Sequence, residues 1–202
     1  MLGTAAVAMW WDIAPEMQSE FEHWHSHEHM PERLAIPGFL RGTRWVAESG
    51  EPSYFVLYEV AQLATATGGK YLERLNDPTP WSREMMPHHR NMVRGLCTLR
   101  AGWGGGLPQV LATIRLPSQA TALPKLPRRK GLTGAHLLES QPMAGSPQTI
   151  EQKIRGGDAT ANWILLIGGY DRDAVSAAVI DMPDGVVGFY RPAYSLGPGE
   201  IA

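Results

Sequence analysis

The alternation of apolar and polar positions in the first half of the chain predicts four strands and two helical regions. Residues 4–13 form an almost wholly apolar run, and a strand there would place Trp10 and Trp11 on opposite faces. Residues 16–30 contain no glycine or proline and carry their acidic residues early, as a helix does. Two strands, a helical region broken by prolines and a fourth strand are predicted at residues 39–48, 54–60, 69–91 and 93–101. This order, β-α-β-β-α-β, is that of a ferredoxin-like unit.

The second half of the chain repeats this order in a weaker form. A glycine-rich segment at residues 102–106 separates the two halves. Three prolines leave little room for a helix in residues 117–131, and residues 140–161 are predicted to form a long loop. Strands are predicted at residues 109–116, 133–139, 162–170 and 186–195, with one short helix at residues 174–180.

A ferredoxin-like sheet carries helices on one face only, so its other apolar face needs a cover. Because the chain holds two such units, we predict an α+β fold in which tandem ferredoxin-like repeats form a pseudo-dimeric α+β barrel with antiparallel sheets packed face to face. The predicted domains are residues 1–103, which carry the candidate site, and residues 104–202, whose first helix is eroded. A further homodimer is compatible with this arrangement but is not required by it.

Composition narrows the range of partners. The formal net charge of −2 on 202 residues gives no electrostatic basis for binding nucleic acid or an anionic membrane. The apolar stretch at residues 5–11 is too short to span a bilayer and has no basic flank. The single cysteine, Cys97, cannot form an internal disulfide and fits a reducing compartment. We therefore predict a cytoplasmic protein whose partner is a small-molecule ligand.

The histidine-rich segment at residues 21–33 is the main candidate for chemistry. Four of the seven histidines in the chain lie within seven residues of this segment. On a helical wheel, Trp24 and Glu28 share the stripe that faces the sheet, and His25 and His29 flank that stripe. This i,i+4 histidine pair could bind a divalent metal, but such a site needs a third ligand, and the sequence offers none at a diagnostic spacing. We therefore predict no metal and no cofactor.

Arg33 follows Pro31, which is predicted to end the helix near Met30. An arginine at this position can satisfy the last carbonyls of the helix. Alternatively, its guanidinium can bind Glu28 or an oxyanion of a substrate.

Polar side chains on the second and third strands are further candidates. Arg41 and Tyr58 need partners when they are buried, and they either line a polar pocket or pair with neighbouring side chains. His88 and His89 follow Pro87 in a region broken by prolines. Either histidine could reach the same pocket, although nothing in the spacing sets its direction.

Several stretches of the sequence resemble a known family. The run Trp24-x4-His29-x-Pro31-x-Arg33, followed by Ile36-Pro37-Gly38-Phe39, resembles the dimeric α/β-barrel superfamily and in particular its EthD-like proteins. The stretches 54–59 and 76–81 are also similar, so the resemblance covers residues 4–101. It implies one site per chain that includes Trp24, His29, Pro31 and Arg33. The superfamily contains ligand-binding proteins, cofactor-free oxygenases, lyases, isomerases and haem enzymes, so the resemblance does not identify a reaction.

The leading hypothesis is a cofactor-independent enzyme for proton transfer or oxygenation of a small aromatic or carbonyl compound. In it His29 transfers a proton, and Glu28 or Arg33 orients the imidazole or stabilises an oxyanion. Trp24, Tyr58 and Arg41 are the predicted substrate-binding residues. One alternative is a non-catalytic ligand-binding or structural barrel. A second alternative is haem or metal binding through a histidine.

Overall fold

The computed structural model of the protein describes residues 1–50, 52–117, 124–141 and 147–201. The strands are β1 (Ala5–Ile13), β2 (Phe39–Ala47), β3 (Tyr54–Val60), β4 (His89–Gly104), β5 (Val110–Leu116), β6 (Leu132–Ser140), β7 (Ala159–Thr160), β8 (Trp163–Gly169) and β9 (Val186–Leu196). The α-helices are α1 (Gln18–Trp24), α2 (Met30–Leu34), α3 (Leu63–Thr67), α4 (Gly69–Asn76), α5 (Pro80–Met85), α6 (Ile150–Ile154) and α7 (Arg172–Ile180). A π-helical segment, His25–His29, joins α1 to α2, and 3₁₀ turns lie at Pro15–Met17, Met86–His88 and Pro198–Glu200.

Eight of the strands form a closed antiparallel barrel. Their order is β1-β3-β2-β9-β5-β8-β6-β4, and pairing of β4 with β1 closes the ring. The short strand β7 adds to β4 in the parallel direction, outside the ring. This architecture confirms the predicted α+β barrel with antiparallel strands.

Each half of the chain contributes four neighbouring strands in the order expected of a ferredoxin-like unit. The first four strands run β4-β1-β3-β2, and the later ones run β6-β8-β5-β9. The two groups are joined edge to edge by the β2–β9 and β4–β6 pairs, so they form one continuous sheet rather than two separate sheets packed face to face. The division into domains at residues 103 and 104 stays a prediction.

Strand β1 is buried on both faces because it lies between the barrel interior and a layer of helices. Trp10 points into the barrel, where its indole N–H donates to the Thr113 hydroxyl at 3.1 Å. Trp11 points to the helix layer and packs against Phe21 of α1. The opposite directions of these two tryptophans confirm the alternation predicted from the sequence. No helix within the described residues is long and apolar enough to cross a membrane.

The prediction that Pro31 ends the first helix is wrong, because the helix continues to Leu34. Pro31 lies in the first turn of α2, where a missing backbone N–H costs least. Just before it, the Met30 N–H donates to the His25 carbonyl, which is the i→i+5 bond of a π-helical turn. This turn changes the hydrogen-bond register at the proline and also rotates the core-facing side of the helix.

Trp24 anchors the helix layer and should be important for stability. Its side chain is 1% exposed and packs against Phe21 and His29. We expect Trp24→Ala to lower the free energy of unfolding by about 3 kcal/mol through cavity formation, measured by urea denaturation. Trp81→Ala, at a half-buried indole that contacts Glu20, should cost no more than about 1 kcal/mol. Equal losses for the two variants would contradict this role for Trp24.

Candidate functional site

A small internal cavity lies between the helix layer and the outer face of strands β1, β3 and β4. Its volume is about 30 Å³, which is enough for about two water molecules. The residues that line it are Met9, Trp11, Trp24, His25, His29, Arg33, Tyr58, Tyr71, Leu75, Met86, His89, Met92, Arg94, Glu151 and Arg155. The cavity therefore combines an apolar wall with an unusual number of histidine and arginine side chains.

Three of the lining residues are buried histidines. His25 and His29 come from the π-helical segment with ring centroids 5.6 Å apart, and His89 is the first residue of β4. Burial, followed by the positive charges of nearby arginines, holds the pKa of His25 and of His29 well below its usual value. Burial and then Arg155 lower the pKa of His89 to about 3. All three imidazoles are therefore neutral at physiological pH.

Many polar atoms in the wall of this cavity have no hydrogen-bond partner among the described residues. They include both ring nitrogens of His25, Nδ1 of His29 and Nδ1 of His89. The Tyr58 hydroxyl and the Trp11 indole N–H also have no hydrogen-bond partner among the described residues. Because almost all buried polar groups in proteins are hydrogen-bonded, these atoms indicate a place where water or a ligand binds.

An irregularity in β4 brings two of the side chains that line the cavity, His89 and Arg94, to one face of the strand. Arg94 lies five positions after His89, an odd spacing that would point the two side chains to opposite faces of a regular strand. The pairing of β1 with β4 shifts register between Trp10 and Asp12, and Asn91 has a positive φ of 55°. This bulge turns both His89 and Arg94 toward the helix layer, as β-bulges beside functional sites do.

The arginines of the cavity are held by residues from distant parts of the chain. Arg33 forms a buried ion pair with Glu151 of α6, and although burial opposes its charge, Glu151 raises the pKa of Arg33. Arg155 follows α6 and forms two hydrogen bonds of 2.7 Å with Asp158. Arg94 donates to the Tyr71 hydroxyl at 3.2 Å.

Helix α6 lies in the segment that the sequence pattern predicted to be a long loop. It begins with a capping box, in which Thr149 and Gln152 bond each other's backbone N–H. The Thr-x-x-Gln spacing was a usable sequence signal for this helix. Nothing in the spacing, however, indicated that Glu151 and Arg155 would reach a cavity in the first half of the chain.

The structure brings together four of the residues predicted for the site. These are Trp24, His29, Arg33 and Tyr58, all of which line the cavity. His89, whose direction the sequence left open, joins them. The sequence offered no third ligand for the histidine pair at a diagnostic spacing, and the structure places His89 in the same cavity wall as His25 and His29. Among the described residues, no group of three or more metal-ligating side chains could hold a metal ion.

Glu28 and Arg41 lie outside the cavity. Glu28 accepts hydrogen bonds from the Trp24 indole at 3.2 Å and from the Thr79 hydroxyl at 2.6 Å, and it is not the partner of Arg33. The π-helical turn explains this, because it directs His25 and His29 to the core and leaves Glu28 facing α5. Arg41 forms an ion pair with Glu59 in the barrel interior, on the opposite face of the sheet from Tyr58.

Comparison with known proteins supports the fold. No family model matches the sequence, and a search of curated proteins found no match. Among solved structures, the chain is similar to an anthrone oxidase-like protein, with a TM-score of 0.56 and 10% sequence identity over 98% of this chain and 94% of that one. A "putative monooxygenase" from Lactobacillus acidophilus gives a TM-score of 0.49 at 7% identity over 97% of both chains. At 10% identity, the similarity to the anthrone oxidase-like protein shows the fold alone, which is that of an α+β barrel of ferredoxin-like units.

Proposed function

We propose that the protein is a small-molecule enzyme of the EthD-like type that catalyses cofactor-independent proton transfer or oxygenation in this cavity. The observation that carries the proposal is the set of three neutral, buried histidines, four of whose six ring nitrogens have no partner among the described residues. A neutral imidazole accepts a proton, and unpaired ring nitrogens are free to approach a substrate. The single cysteine agrees with the cytoplasmic location that we also propose.

The charges around the cavity determine what kind of proton transfer is favourable. Burial and the nearby arginines disfavour an isolated imidazolium. Protonation of His29 becomes favourable only when the substrate becomes an anion at the same place, because the two charges then pair. Arg33 can stabilise the developing oxyanion of an enolate or phenolate. The substrate is therefore a weak carbon or hydroxyl acid.

An enolate formed in this way can react with dioxygen without a cofactor. It transfers one electron to O₂, and the resulting carbon radical and superoxide combine to form a C–O bond. The proton held by the histidine then converts the peroxide anion to a hydroperoxide, which loses water to leave a ketone. One CH₂ group and one O₂ thus become one C=O group and one water. The structural similarity to an anthrone oxidase-like protein supports testing an anthrone as the substrate.

The size of the cavity requires that side chains move when a substrate binds. A volume of about 30 Å³ is far smaller than an aromatic ring system needs. Met9, Met86 and Met92 line it, and methionine side chains are flexible enough to repack around a ligand. We therefore expect ligand binding to enlarge the cavity at this methionine wall.

A non-catalytic structural barrel is the second candidate function, and the small volume is the observation that favours it. In such a barrel the polar residues would satisfy one another, whereas several polar atoms of the cavity have no partner among the described residues. Haem binding through a histidine fits less well, because a macrocycle exceeds this volume by far. Absorbance of the purified protein in the Soret region tests the haem hypothesis directly.

We expect His29→Ala to separate catalysis from stability. Its imidazole is 8% exposed and makes no hydrogen bond through Nδ1 to any described residue, so removal should lower the free energy of unfolding by only about 1 kcal/mol. Loss of a general base should reduce anthrone-dependent oxygen uptake by at least about 100-fold, measured with an oxygen electrode.

His27→Ala is the matched control for this experiment. His27 lies two residues before His29, is exposed, and bonds the carbonyl of His23 at 2.9 Å. This variant should keep the oxygen uptake of the wild type. If His29→Ala keeps it as well, His29 is not the base. If the wild type consumes no oxygen with any enolisable aromatic ketone, the oxygenation is ruled out, and exchange of the substrate's acidic hydrogen with deuterium from solvent tests the proton transfer that remains.

A further inference from the structure

Arg94 differs from the other arginines of the cavity in having no carboxylate partner. Arg94 is 9% exposed and is one of the residues that line the cavity. Its one side-chain hydrogen bond among the described residues goes to the hydroxyl of Tyr71, at 3.2 Å. The same guanidinium lies 5.9 Å from the centre of the Tyr71 ring. No carboxylate in the described part of the chain approaches Arg94 within ion-pair distance.

The carboxylates nearest to the cavity are already paired with the other two arginines. Glu151 binds Arg33, and Asp158 binds Arg155 through both of its oxygens. Burial opposes the charge on Arg94, whereas Tyr71 and, from a greater distance, Asp158 and Glu151 raise its pKa. Arg94 therefore stays charged, whereas the three nearby carboxylates, Glu32, Glu151 and Asp158, all pair with Arg33 or Arg155 and none of them contacts Arg94.

A buried charge without a counter-charge is costly, and proteins usually pair such charges. The neighbouring arginines show that this fold can place carboxylates beside a guanidinium, but at Arg94 it does not. The free guanidinium borders a cavity that also contains the partnerless atoms of His25, His29 and Tyr58. A ligand that brings its own negative charge would compensate Arg94 and occupy the cavity at the same time.

We propose that the cavity binds a small organic acid whose carboxylate pairs with Arg94. This inference rests on the proposed function, because it names the substrate class for the same site: a carboxylic acid with an acidic C–H or O–H group that the histidines can reach. The planar, two-oxygen carboxylate matches the fork of N–H donors on a guanidinium. Arg94 anchors the substrate, and Arg33 remains available for the oxyanion that forms during the reaction.

The test compares a carboxylate with its neutral analogue. Benzoate and benzamide have nearly the same shape, but only benzoate carries a charge. In calorimetric titrations of the full chain at matched ionic strength, benzoate should bind at least about 10-fold more tightly than benzamide, as expected for a charge-assisted hydrogen bond. Equal affinities, or binding of neither compound at tens of millimolar, would overturn the proposal.

Substitution of the arginine assigns the effect to its position. Arg94→Met should weaken benzoate binding about 10- to 100-fold and leave benzamide unchanged. Arg90→Met, which removes an exposed arginine from the same strand, should leave both affinities unchanged. Arg94→Lys keeps the charge without the fork and should be intermediate. Undiminished benzoate binding by Arg94→Met contradicts the assignment, and the wild-type comparison decides the proposal even if the variants fail to fold.

This outcome is independent of the oxygen-uptake experiment. Benzoate contains no acidic C–H group, so its binding requires no turnover. If benzoate binds through Arg94 while His29→Ala keeps full oxygen uptake, the anion site stands and the catalytic proposal fails. If instead benzoate binds no more tightly than benzamide while His29→Ala loses oxygen uptake, the catalytic proposal stands and the organic acid is excluded as the substrate class.

Discussion

The free energy of unfolding should fall steeply when the pH is lowered below about 6.5. The pKa of His25, His29 and His89 is lowered in the folded protein, to about 3 for His89. Between that value and the ordinary histidine pKa, the unfolded chain binds protons that the folded chain does not, so stability is present above about pH 6.5 and is lost as the pH falls. Each histidine contributes about 1.4 kcal/mol per pH unit to the slope of the free energy of unfolding against pH, and the three together contribute about 4 kcal/mol per pH unit.

Urea denaturation at several pH values between about 7.5 and 5 measures this slope. His89→Leu should reduce it by about one quarter, because it removes one of the four histidines, His136 included, that take up a proton on unfolding. His27→Ala, at an exposed position, should give the slope of the wild type. His136, whose pKa burial lowers to about 4, adds a contribution of the same sign. A stability that does not change between pH 7.5 and 5 would mean that the three imidazoles are not held neutral by burial.

Glu151→Ala should lower the free energy of unfolding by about 4 kcal/mol. The variant leaves Arg33, which is 2% exposed, without its main counter-charge, and a buried ion pair that loses one partner typically costs about 3–5 kcal/mol. The double variant Arg33→Met, Glu151→Leu should recover most of this loss, because two apolar side chains of similar volume leave no uncompensated charge.

The matched control for the buried pair is an exposed one. Glu48 pairs with Arg172 at 2.6 Å, and both side chains are substantially exposed. Glu48→Ala should therefore cost less than about 1 kcal/mol. If Glu151→Ala costs as little as Glu48→Ala, then α6 does not hold Arg33 in place, and its contribution to the cavity is incidental.

Local patterns predicted the strands of the first half well because each has a clear apolar period and a turn at its end. Residues 54–60 were predicted as a strand and form β3 with those bounds. The fourth strand was predicted too short, because its pairing with β6 extends it to Gly104. That extension depends on contacts with the other half of the chain, and the local pattern carries no information about them.

The candidate site was predictable only where its residues lie on one helix. Trp24, His29 and Arg33 share a helical segment, so spacing alone places them on neighbouring faces. Glu28 was predicted to face the core because the wheel assumed an unbroken α-helix, whereas the π-helical turn changes which residues point inward. Arg94 reaches the cavity through a strand bulge, and no spacing rule predicts the direction of a side chain beyond such a bulge.

The position of α6 has a consequence for symmetry. The two groups of four strands have the same order, so the barrel has an approximate two-fold relation between its halves. In a symmetric dimer of identical chains, a loop that closes the cavity of one chain must also close the equivalent cavity of the other chain. A single chain is free of that condition, and here a segment of the second half supplies Glu151 to the first half. The covalent link between the halves thus allows one of them to specialise as the cover and the other as the place of chemistry.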